Sequence, residues 1–180
     1  MKMKNMFIVF GVLFFSFLAW GESNRKDPLP TARSVDIARY MGKWYTVTSL
    51  PQFYTRNCQG QTAEYDVIDE KTIGVKNTCY KENGKNKIVV GRGTVEDSPN
   101  NARLSIRFNT FWTSLFRIKG EYVIIKLAED YDNVMVGSTD RKALWIMSRV
   151  PNIDPTTFME YKNLAHSLGY SVEQLKNAKY

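Results

Sequence analysis

The sequence predicts an all-β chain: an eight-stranded antiparallel up-and-down β-barrel with one C-terminal α-helix packed on its outside. Three observations predict it. Short runs rich in β-branched and aromatic residues recur roughly every eight to twelve residues, separated by turn clusters. No helical pattern intervenes between them, which favours a meander over alternating strands and helices. After Asp154 the apolar residues switch from strand alternation to helical spacing.

The runs fall at 43–50, 61–68, 72–80, 87–96, 102–109, 121–127, 133–138 and 143–149. Asp69-Glu70-Lys71, Asn83-Gly84 and Ser98-Pro99-Asn100-Asn101 supply turns between them. Eight such strands can close on themselves around an interior that holds one small ligand. No internal repeat or low-complexity stretch is visible. Asp154 is a good N-cap with Pro155 at the first helical position. Phe158, Tyr161, Ala165 and Leu168 then share a helix face, and Gly169 stops it. In the eighth run Ala143, Trp145 and Met147 lie on one face, Leu144 and Ile146 on the other. A strand apolar on both faces needs cover on both sides, so the helix is expected outside it.

The chain opens with Lys2 and Lys4, then an apolar stretch at 6–20 and Ala19-Trp20-Gly21 as a small-x-small cleavage site, the pattern of a secretory signal. The alternative is a membrane anchor, but the stretch is shorter than the ~20 apolar residues that span a bilayer. The expected organisation is a signal at 1–21, an extended arm at 22–33 and the barrel with its helix at 34–180. No Cys follows the apolar stretch, leaving nothing to acylate. The product is expected to be exported, periplasmic or secreted, and not lipid-anchored. The net charge of +7 loses two lysines with the signal. It is spread along the chain without a block of like charges, which does not favour nucleic acid as a partner. Weak attraction to an anionic membrane surface is allowed.

Cys58 and Cys79 are the two cysteines, in a compartment that permits disulfides. A hairpin turning near Asp69-Glu70-Lys71 places them nearly opposite, as one structural bridge. The rival, a reactive thiol, needs an activating neighbour, and only Arg56 is near in sequence. The single histidine, His166, lies on the expected helix away from the interior. No Ser/His/Asp set, metal-ligand cluster or phosphate loop can be assembled, so no catalytic residue, metal or cofactor is expected.

Gly42-Lys43-Trp44-Tyr45 on the first strand, Asp130-Tyr131 between the sixth and seventh, Val136-Gly137-Ser138-Thr139-Asp140-Arg141, and Leu144-Trp145-Ile146-Met147-Ser148-Arg149 resemble the lipocalin family. The bacterial, apolipoprotein-D-like branch is the nearest in pattern, over roughly residues 34–180. The resemblance implies a barrel open at one end, taking fatty acids, lysophospholipids or similar apolar ligands. It also implies that Gly42, Trp44, Asp130, Tyr131 and Arg149 gather at the closed end, with the Arg149 guanidinium over the Trp44 indole. In a meander the start of strand one and the end of strand eight do share an end, and Cys58 and Cys79 fall at the other.

Trp44 sets the phase of the first strand, placing Thr46 and Thr48 inward. By resemblance Ala63, Tyr65, Ile73, Val75, Asn77, Val89, Gly91, Gly93, Leu104, Ile106 and Phe108 also face inward, and Ile124, Met135 and Trp145 complete the wall. This mostly apolar set suits a small-molecule cavity. A barrel filled by its own side chains is the alternative, against which the glycines and Ala63 are read as leaving room. Lys126 shares a face with Tyr122 and Ile124 in strict alternation. It either meets a ligand head group or lies in solvent. The connection at 109–119 carries Phe111, Trp112, Leu115, Phe116 and Ile118 at the expected mouth, as a lid, a membrane contact or a strand extension. Phe53 and Tyr54 share that rim.

The function expected is a carrier or scavenger of a small hydrophobic ligand such as a fatty acid or lysophospholipid, as a monomer or homodimer, with transient membrane-surface contact. A barrel enzyme and an interaction module using the aromatic rim are the alternatives.

Overall fold

The computed structural model describes residues 28–109 and 119–180. The expected signal at 1–21, residues 22–27 of the expected arm, and the connection with Phe111, Trp112, Leu115, Phe116 and Ile118 lie outside the described residues. A one-turn helix α1 (Ile37–Tyr40) leads into strands β1 (Gly42–Ser49), β2 (Gly60–Val67), β3 (Thr72–Tyr80), β4 (Lys87–Val95), β5 (Arg103–Phe108), β6 (Gly120–Leu127), β7 (Asn133–Gly137) and β8 (Leu144–Ser148). Helix α2 (Pro155–Ser167), a 3₁₀ turn and a two-residue strand β9 (Lys176–Asn177) follow. Each of β1 to β8 pairs antiparallel with its neighbours, and β1 pairs with both β8 and β2, closing the barrel.

Local chemistry sets the turns. Asp69 Oδ1 accepts from the Lys71 amide at 3.0 Å between β2 and β3, and Asn83 Oδ1 from Lys85 at 3.0 Å between β3 and β4. Gly84 takes the positive φ that the second turn requires. Cys58 and Cys79 are disulfide-bonded beside this rim, with Cα atoms 5.2 Å apart.

Two β-bulges correct the expected phases. In β6 the register with β7 shifts between Ile124 and Lys126. Ile124 pairs with Val136 and Leu127 with Val134, inside the barrel, whereas Lys126 pairs with Met135 outside. Met135 therefore packs under α2 and not on the inner wall, where Val134 and Val136 stand instead. In β1 the register with β8 shifts between Thr46 and Thr48. Thr46 stays opposite inward Met147, but Thr48 joins the outward face of Ile146 and donates to the Lys176 carbonyl at 3.0 Å. One extra residue reverses the side-chain phase beyond it.

The two faces of the sheet make two cores. The inner one gathers Trp44, Ile73, Leu104, Ile124, Val134 and Met147, capped below by Val35 and Tyr40. The outer one packs Tyr161 and Ala165 of α2 against Val123, Ile125, Met135, Leu144 and Ile146. Asp154 caps α2 by accepting from the Thr157 amide at 2.9 Å, and Gly169 leaves it at φ 83°. The segment from residue 28 joins both cores: Leu29 lies in the outer one and Val35 in the inner. Beyond α2, β9 pairs with β1, the Ala178 amide donates to Val47 and the Lys179 amide to Gln59. The chain thus bridges β1 and β2 where they no longer pair directly.

Candidate functional site

At the closed end, Arg149 Cζ lies 3.8 Å from the centre of the Trp44 ring. Its guanidinium donates to the carbonyls of Tyr131 (3.2 Å), Lys43 (3.1 Å), Arg39 (2.9 Å) and Tyr40 (3.2 Å). Burial lowers its pKa from the ordinary value, against the pull of Tyr40 and Asp132. Trp44 Nε1 donates to Tyr40 at 2.9 Å. Tyr131, at φ 66°, accepts from the Asp36 amide at 2.9 Å and lies beneath the Arg39 guanidinium, while Asp130 closes its turn by accepting from Asp132. Gly42 sits at φ 90°, and a Cβ there would lie 3.5 Å from Arg149 Nη1. The five residues expected at this end meet there, held mainly by hydrogen bonds to backbone carbonyls.

Above this plug the inner wall reads as rows of cross-strand partners. Trp44, Ala63, Asn77 and Val89 form one; Tyr65, Val75, Gly91 and Phe108 form another. Ile73, Gly93 and Ile106 make a third, and Val95, Leu104 and Tyr122 a fourth. Ile124, Val136, Trp145 and Ser49 complete the circle. Ala63, Tyr65, Val75, Asn77, Val89, Leu104, Ile106, Phe108, Ile124 and Trp145 therefore share the inner face; Met135 does not, and Trp112 lies outside the described residues. The rows hold no charged side chain. Lys126 is paired with Glu160 of α2 on the outside.

Burial divides this face in two. Trp44, Ile73, Leu104, Ile124 and Val134 are sealed, whereas Asn77, Val89, Phe108 and Trp145, nearer the mouth, are only half-buried. The glycines do not make this space. A Cβ on Gly93 would stand 2.8 Å from both Ile73 and Ile106, and one on Gly91 would meet the Arg107 carbonyl and Phe108. Neighbouring atoms already occupy what those glycines leave. Asn77 Oδ1 is buried without a hydrogen-bond partner, an uncompensated acceptor on the wall.

Between the two zones lies a group that periodicity did not assemble. Tyr40 from α1, Tyr65 from β2 and Tyr122 from β6 bring their hydroxyls together, Tyr122 lying 2.6 Å from Tyr40 and 3.0 Å from Tyr65. The Tyr40 and Tyr65 rings stack at 5.7 Å, and Tyr65 meets Tyr122 edge-on at 6.1 Å. Burial pushes the Tyr65 phenol up to about 12, and those of Tyr40 and Tyr122 well above their usual value. The expected inward position of Tyr65 and the alternation of Tyr122 with Ile124 hinted at this cluster; Tyr40 sits on a single helical turn outside the strands. At the rim, Phe53 is 84% exposed and packs edge-on against Tyr54 at 5.3 Å. Among the described residues no group of three or more His, Cys, Asp or Glu side chains could hold a metal ion.

The family model of a lipocalin-like domain matches residues 35–180. The chain belongs to the lipocalin family. It is 27% identical over 153 residues to temperature-induced lipocalin-1 of Arabidopsis thaliana, covering 83% of this chain and 82% of that one. It is 28% identical over 141 residues to the outer membrane lipoprotein Blc of Escherichia coli (strain K12), covering 77% and 76%. Among solved structures, insecticyanin from Manduca sexta superposes with a TM-score of 0.61 at 15% identity, covering 86% of this lipocalin and 85% of its own chain. That likeness concerns the fold.

Proposed function

We propose that this lipocalin is an exported carrier or scavenger of a lipid such as a fatty acid or lysophospholipid, held in the mouth half of the barrel. The observation that supports the reading most is the division of the inner face: mostly apolar and without charge below the rim, buried toward the closed end and half-buried nearer the mouth. Such a wall favours an apolar chain. The kinship with an outer membrane lipoprotein supports an envelope or extracellular setting. A role in binding rather than catalysis accords with a wall of side chains that carries no acid–base pair.

Mass spectrometry of molecules extracted from the purified protein, with tryptophan quenching by added palmitate and lysophosphatidylcholine, tests this. Retention of an apolar molecule and saturable quenching are expected. An empty barrel with no quenching would remove the carrier reading. The exposed Phe53–Tyr54 pair at the mouth supports brief contact with a bilayer during loading. Co-sedimentation with anionic vesicles should then fall on Phe53→Ser, with palmitate affinity kept.

A further inference from the structure

The three buried tyrosines carry three hydroxyl protons but make two contacts with one another, both through Tyr122. Each contact consumes one proton. However the donors are assigned, one O–H is left over: on Tyr40, on Tyr65 or on Tyr122. No other group among the described residues accepts from these hydroxyls. Tyr40 and Tyr65 are 1% and 6% exposed, and Tyr122, on the same inner face as Leu104 and Ile124, is half-buried. A buried donor without an acceptor is costly, and the cost disappears when an oxygen arrives to accept.

We infer that this tyrosine floor is a subsite for a neutral oxygen, a carbonyl or hydroxyl carried on the end of an apolar ligand that enters the barrel first. The inference rests on the carrier reading and narrows its ligand class. Neutrality follows from the surroundings. The inner rows contain no Lys, Arg or His, the β6 bulge turns Lys126 outward, and Arg149 is engaged with four carbonyls behind Trp44. A carboxylate at the floor would feel Arg149 only from a distance, with no cation in hydrogen-bonding contact to offset its burial. The first cation on the same face of β4 is Lys87 at the rim, opposite Cys79. A fatty acid would therefore leave its carboxylate at the mouth and send its far end down. An oxygen at that far end, as on an oxidised acyl chain, would find the spare phenol proton.

The test compares methyl decyl ketone with dodecane, two probes of matched length, by displacement of an apolar dye. Each affinity is divided by that probe's own water-to-hexadecane partition, which removes the cost of stripping water from the carbonyl. The ketone should then exceed dodecane by at least roughly tenfold, the worth of one hydrogen bond made away from water. Replacing Tyr40, Tyr65 and Tyr122 together by Phe should bring the two corrected affinities level. Tyr122→Phe alone should keep the preference, because removing the hub frees both remaining hydroxyls. In the unsubstituted protein the bound ketone's carbonyl stretch should lie below its value in alkane solvent, a readout that needs no variant to fold. Equal affinities after the partition correction, or an unshifted stretch, would overturn the inference while leaving the carrier reading intact. Failure of both probes and of palmitate to bind would overturn the carrier reading itself.

Discussion

Arg149 closes the barrel floor with two kinds of contact that fail differently. The cation over an indole contributes up to roughly 2 kcal/mol where water is excluded. Its four hydrogen bonds fix carbonyls from α1, β1 and the β6–β7 turn at once. Arg149→Ala should lower stability by about 2–3 kcal/mol in urea unfolding. Arg149→Lys keeps the charge but not the planar fork, and should recover less than half of that. A variant as stable as the parent would show the plug to be dispensable. The tyrosines make a second prediction at this scale. Their folded pKa values lie above the unfolded value near 10, so the folded state holds their protons more tightly. Their contribution is complete below about pH 10 and is lost as pH rises above it, through about 12 for Tyr65, at roughly 1.4 kcal/mol per pH unit for each tyrosine still protonated in the folded state. Urea midpoints at pH 9, 10 and 11 should stay level and then drop, with a shallower drop in Tyr122→Phe.

At the scale of elements, the strands were legible because alternation and turn chemistry are local. Thr72–Tyr80 coincides with the expected run, and the others differ by about one residue at one or both ends. Phase was less legible. A bulge adds a residue without altering composition, so strict alternation left Lys126 undecided, whereas the extra residue beside Ile125 sends it outward; Met135, expected on the wall, faces out because Val134 and Val136 on either side of it point in. Lys126 meets Glu160 on α2, in a pair exposed enough for salt to screen. Lys126→Ala should cost under about 1 kcal/mol in thermal unfolding and leave palmitate affinity unchanged. A large loss of affinity would return that side chain to the cup. The tyrosine cluster escaped notice for another reason. It joins a single helical turn to two strands distant in sequence, and only tertiary packing reveals such a meeting. The interior glycines misled because absence of a side chain is not absence of matter; Ile73 and Ile106 fill the volume beside Gly93.

Over the whole molecule, closure of the sheet is uneven. Gly42 to Tyr45 pair with β2, but from Thr46 onward β1 turns to β8 and to β9. The gap facing the start of β2 is held by the Ala178 and Lys179 amides and by the Tyr180 hydroxyl, whose one proton is shared between the carbonyls of Thr46, at 3.0 Å, and Gln61. Removing residues 176–180 should lower stability by roughly 1–3 kcal/mol. It should also raise the ligand dissociation rate in stopped-flow displacement more than it slows association. Unchanged release would show that ligand leaves through the mouth alone. The wall beside that mouth is thus a laced seam, made by a segment distant in sequence. Parting it would give a long acyl chain a sideways exit, with its head group never having to leave the water.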